Sequence, residues 1–137
     1  MTTIIIIDIV LLVIAGFAKA VNNTLMHHYY DSVFCQGSKE KAMFWNPSRS
    51  WKNKYKDWDR MDRRPKFFGA TTFLAWTTDA WHLFDTIQLT CLQSAGILPI
   101  LFATQVSYWY FIPAIIVVKA ICGGTFEGFY KAFRKKK

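Results

Sequence analysis

The sequence predicts an all-α polytopic membrane protein with three transmembrane helices, an interfacial amphipathic helix and a basic amphipathic C-terminal tail. Three observations carry this. Over half of the 137 residues are hydrophobic and 18% are aromatic, which excludes a disordered chain and exceeds the apolar share of an ordinary soluble domain. The apolar residues gather in long runs, and the basic residues gather in two places outside them. With three cysteines and no short repeat, a disulfide scaffold, a collagen and a coiled coil are excluded as well.

The first run, Ile4 to Ala20, is broken only by Asp8, Gly16 and Lys19, and a helix continuing to about residue 26 reaches the roughly 20 residues needed to cross a bilayer. A cleaved signal peptide is disfavoured because no basic residue precedes the run. A second span is expected over about 67–92, opened by Asp62 as cap with Pro65 in the first turn and closed by a turn at Gln93-Ser94-Ala95-Gly96. The third, about 97–121, is uncharged up to Lys119 and carries Pro113, which predicts a bend, while Gly123-Gly124 predicts its end or a hinge.

Orientation follows from the positive charge. The loop 31–66 holds ten basic and five acidic residues, and the stretch from Lys119 onward six basic and one acidic. Both are expected on the cytoplasmic side, with the N-terminus outside, in a single membrane domain whose tail is 123–137. Trp51, Tyr55 and Trp58 recur at the spacing of one helical face with lysines between them. Such a pattern also suits nucleic-acid stacking, but beside apolar spans it predicts a helix docked among anionic headgroups, with Trp45 as a further interface residue and no nucleic-acid partner. Phe126, Phe129, Tyr130 and Phe133, followed by Arg134-Lys135-Lys136-Lys137, repeat the pattern in the tail.

Ionisable side chains within spans are costly and mark function. Asp79, His82 and Asp85 are three residues apart and therefore share one helical face; Asp8 on the first helix is expected at the depth of Asp85 near the outer side, with His82 slightly deeper and Asp79 near the middle of the bilayer. A lone three-helix chain has little room to cover such a face, so a homo-oligomer or a membrane-complex partner is expected. Three roles remain open for it: a helix-tying network with Lys19 paired to Asp79; an ion or proton pathway, since histidine titrates near neutrality; or a divalent metal on His82 and Asp85. His27 and Asp31, four residues apart and so on one helical face, form with His28 a secondary cluster fit for a metal or a lipid phosphate, against the plainer reading as helix-end interface residues. Cys35, Cys91 and Cys122 are odd in number, no hydrolase, phosphate-loop or zinc-protease motif occurs, and the acceptor pattern Asn22-Asn23-Thr24 falls at the inner end of a span, where glycosylation is not expected.

The segments Phe44-Trp45-Asn46-Pro47, Ser50-Trp51-Lys52-Asn53-Lys54-Tyr55 and Thr78-Asp79-Ala80-Trp81-His82 resemble stretches of uncharacterised short bacterial integral membrane proteins. The resemblance covers residues 44–85 and implies a membrane protein but no activity; an inner-membrane location is a separate expectation. The expectation is thus an oligomeric or complex-bound membrane protein whose Asp/His face binds an ion, a proton or another helix. Its competitors are a metal-dependent intramembrane enzyme acting on a lipid or isoprenoid headgroup, and a structural or lytic membrane protein of viral type.

Overall fold

The computed structural model describes residues 2–59, 61 and 64–133, with only the backbone of Thr2 and of residues 126–133. The described residues are helical with no strand. The helices are α1 Thr2–His27, α2 Lys39–Trp45, α3 Pro47–Ser50, α4 Ala80–Ala103 and α5 Phe111–Phe133. Three stretches, Thr3–His27, Ala80–Ala103 and Tyr108–Thr125, are long and apolar enough to cross a membrane.

The chain divides into two compact units, one of Val13–Leu89 and one joining the segment up to Leu12 with the chain from Thr90 on. In the first unit, Ala15, Ala18, Val21 and Leu25 are buried, and their three- and four-residue spacing makes one stripe along α1. Val21 and Leu25 pack with Tyr29 and with Ala80 at the start of α4, against Phe34, Phe44, Trp45 and Phe84. Trp45 stacks on Phe34 at 4.8 Å between ring centres and lies 6.0 Å from Phe84, which meets Phe17 at 6.1 Å. Trp45 therefore belongs to an internal aromatic cluster rather than to a free interfacial surface.

The loop over this cluster is built from caps. Ser38 Oγ accepts from Lys41 N–H to open α2; Asn46 closes α2 and opens α3, its Oδ1 accepting from Ser48 N–H at 2.9 Å with Pro47 in the first turn. The expected helix over Trp51–Trp58 does not form. Residues 51–54 turn, Tyr55 pairs with Pro65 in an isolated antiparallel bridge, and Asp57 and Trp58 take left-handed φ values of 52° and 58°, so Trp51, Tyr55 and Trp58 share no helical face. Pro65 thus serves this bridge and not a helix start, and the expected cap at Asp62 lies outside the described residues.

The second apolar helix begins at Ala80, not near 67. Gly69, at φ 83°, sets a turn in which any Cβ would meet the Phe73 ring at 2.9 Å. Beyond it the backbone bonds Thr72→Gly69, Thr77→Leu74 and Thr78→Ala75 are of three-residue type, and the hydroxyls of these threonines bond the same carbonyls, the local competition that holds threonine out of helices. At the other end α4 runs through Gln93–Gly96 and past Pro99 to Ala103. It stops where Gln105 turns left-handed (φ 55°), with Gln105 N–H bonded to Phe102 O and Val106 N–H to Leu101 O, the paired bonds of a Schellman end with glutamine in the usual glycine place. The third span is displaced in consequence. Pro113 falls in the first turn of α5, where its missing N–H costs no bond, and α5 continues through Gly123-Gly124. The side-chain pattern of the expected tail lies outside the described residues.

Candidate functional site

Thr78 and Asp79 lead directly into α4, and both are buried. Asp79 is the helix cap: its Oδ1 accepts from His82 N–H at 2.8 Å, and the carbonyl of Asp79 accepts from Leu83 N–H. The other oxygen, Oδ2, lies 2.7 Å from His82 Nδ1. A carboxylate only accepts, so Nδ1 carries the hydrogen of this bond, and neutral imidazole then presents its lone pair at Nε2. The spacing of three residues thus fixes one acid–base pair. Asp79 is 3% exposed, whereas about half of the His82 side chain is open, and the Trp81 ring stands edge-on to the imidazole at 4.2 Å.

A cleft of about 240 Å³ adjoins the pair, lined by Met26, Pro47, Ser50, Trp51, Asp79, Trp81 and His82. The Trp51 indole N–H donates to Ser48 O at 3.1 Å. Ser50 is buried, and its hydroxyl makes no hydrogen bond to another described residue. In the same loop, Asn53 Nδ2 donates to Thr78 O at 2.6 Å while Asn53 Oδ1 accepts from Lys66 Nζ at 2.7 Å. The loop is thereby tied to the backbone just ahead of α4.

The residues singled out in the sequence separate. Asp79 and His82 come together; Asp85, one turn on, is half-buried and makes no hydrogen bond or ion pair among the described residues. Asp79 lies at the head of an apolar helix instead of at mid-depth. Its oxygens are taken by the His82 backbone N–H and ring, and Lys19 is exposed, so the expected Lys19–Asp79 pair is absent. Asp8 falls in the other unit, where its Oδ1 is shut from solvent with no hydrogen-bond partner among the described residues, as is Gln93 Oε1; there too Lys119 Nζ donates to Thr90 Oγ1 at 2.7 Å. His27 ends α1 and Asp31 ends a following 3-10 turn, which removes the shared face expected of them. Among the described residues no three His, Cys, Asp or Glu side chains gather as metal ligands.

Two titratable groups of the loop have shifted pKa values. Burial pushes the Tyr29 phenol above its usual value, and the hydrogen bond with Ser38 holds Glu40 below its own. Sequence reasoning missed Ser50, Asn53, Lys66 and the wall of Met26 and Trp81. The cap at Asn46-Pro47 was the available signal, because it turns the chain so that Ser50 and Asn53 are buried in the loop. No family model matches the chain, and comparison with curated proteins and with solved structures found no match either.

Proposed function

We propose that the chain is an integral membrane protein, working as a homo-oligomer or within a larger membrane complex, whose Asp79–His82 pair takes up and releases a proton at the membrane surface. One observation carries the reading: a buried carboxylate fixes His82 Nδ1 at 2.7 Å on a side chain that is about half exposed at the start of an apolar helix, which leaves Nε2 as the nitrogen available for exchange. Histidine exchanges protons near neutral pH, and a partner that fixes the ring also fixes which nitrogen does the work. Most of each apolar helix is uncovered within the chain, and none of the Tyr108–Thr125 window is buried, which leaves room for neighbouring subunits. The positive loop and tail favour the cytoplasmic side for the site, with the N-terminus outside. In vesicles carrying a pH-sensitive dye, the purified protein is expected to speed the decay of an imposed proton gradient, and His82→Gln to remove most of that acceleration. Equal rates with and without His82 contradict the reading.

A second reading, an acid–base enzyme acting on a lipid, is favoured by the cleft itself. Ser50 borders the same space as His82, and Met26, Trp51 and Trp81 give that space apolar walls. An acyl-phosphonate probe would then label Ser50, and Ser50→Ala would abolish labelling. An unlabelled Ser50 removes this reading. The metal-dependent form of it would rest on His82 and Asp85 alone.

A further inference from the structure

We propose that Lys56, Trp58 and Lys66 form a binding site for the phosphate of an anionic lipid headgroup, distinct from the Asp79–His82 cleft. These residues, with Asp57, line a separate concavity of about 440 Å³. It is shaped by the backbone: Lys56 N–H donates to Arg64 O and Lys66 N–H to Lys54 O, both at 2.9 Å, around the Tyr55–Pro65 bridge. This pairing brings two lysines ten residues apart to one rim. Between them Asp57 and Trp58 hold consecutive left-handed conformations. That backbone is costly for a bulky side chain and persists only where its surroundings impose it. A third ammonium comes from α2, where Lys39 Nζ stands 5.4 Å from the centre of the Trp58 ring. The described lining thus holds two lysines, Lys56 and Lys66, against the one carboxylate of exposed Asp57, with Lys39 beside its tryptophan, and this balance favours an anion.

The depth of the site selects a lipid over a free anion. Lys66 Nζ spends one N–H on Asn53, and Asn53 holds the carbonyl of Thr78, two residues before the first residue of α4. One wall of the concavity is therefore fastened to the start of an apolar helix, at headgroup level. An ammonium has three N–H donors, so Lys66 keeps two for a phosphate. Trp58 adds an amphipathic ring of the kind that settles at that level. The same chain of bonds joins the anion site to Asp79, so lipid binding steadies the segment that caps α4.

The test is native mass spectrometry of the full chain in neutral detergent, offered an equimolar mixture of phosphatidylglycerol and phosphatidylcholine. The expected result is preferential retention of phosphatidylglycerol, reduced about five-fold by Lys56→Gln or Lys66→Gln singly and about 25-fold by both. The control Lys52→Gln/Lys54→Gln removes the same charge outside the concavity and is expected to keep the preference; circular dichroism verifies that each variant is folded. Equal loss in the control and the test variants overturns the proposal in favour of unspecific charge attraction. Displacement of the lipid by excess inorganic phosphate overturns it in favour of a free-anion site. A proton-flux defect in His82→Gln with lipid retention intact would separate this site from the one proposed above.

Discussion

The loop between α1 and α4 and the helix α5 use their side chains in opposite ways. The loop is rich in charge, yet it buries Asn46, Ser50 and Asn53 and binds Asn53 to the entry of α4. The helix is apolar, yet Ile112, Ile116, Val117 and Ile121 stand more than half exposed. In water this arrangement would be inverted; in a bilayer it is the stable one, because lipid accepts bare apolar helices whereas polar groups must find partners. The organised part of the molecule is therefore its polar part, and the acid–base pair sits where that part meets an apolar helix.

Substitutions that break this contrast are expected to differ in size. Leu25, fully buried under the loop, anchors the aromatic cluster, so Leu25→Ala is expected to cost about 2–5 kcal/mol, read as faster proteolysis within 31–66 and loss of near-ultraviolet circular dichroism. Asn53→Ala leaves the Thr78 carbonyl and the Lys66 ammonium without their bonds, at about 1–3 kcal/mol, with amide exchange rising at the first turn of α4. Asp79→Ala removes a cap, at about 1 kcal/mol, and frees the His82 ring; Asp79→Asn is expected to retain much of the cap while losing the carboxylate. A helix-end change of opposite sign is Gln105→Gly, expected to stabilise the chain by up to about 1 kcal/mol, since glycine takes the left-handed conformation without the penalty of a Cβ. The smallest effect lies in alkali. Tyr29 is held above its unfolded value of 10.0, so folding favours the protonated phenol: its contribution is complete below pH 10.0 and is lost as pH rises through the higher folded value. Tyr29→Phe is expected to flatten that decline in a pH-dependent melt.

The class of fold was legible in the sequence because it depends on length and apolarity alone. The first helix was legible to within two residues. The second and third were misplaced because hydropathy does not separate a helix from a chain of turns that holds apolar residues: residues 67–79 carry three Phe, a Leu and a Trp, but Gly69 and the back-bonding threonines hold them out of a helix, while Gly96 and Pro99 sit inside α4. The true break, at Gln105, carries no glycine to announce it. The nearness of Asp79 to His82 was legible in their spacing, but their bond and its place at a helix start were not, since both depend on where α4 begins. Asn53 and Lys66 were hidden in a charged run whose helical spacing was misleading, because the Tyr55–Pro65 bridge is set by residues ten apart.

The most direct test of the Asp79–His82 pair is nitrogen NMR of His82 in lipid nanodiscs, comparing the native chain with Asp79→Asn. A neutral imidazole protonated at Nδ1 and bare at Nε2 is expected in the native chain, with a shift of that tautomer preference when the carboxylate is replaced. A His82 ring with its proton on Nε2, or one indifferent to Asp79→Asn, would contradict this expectation.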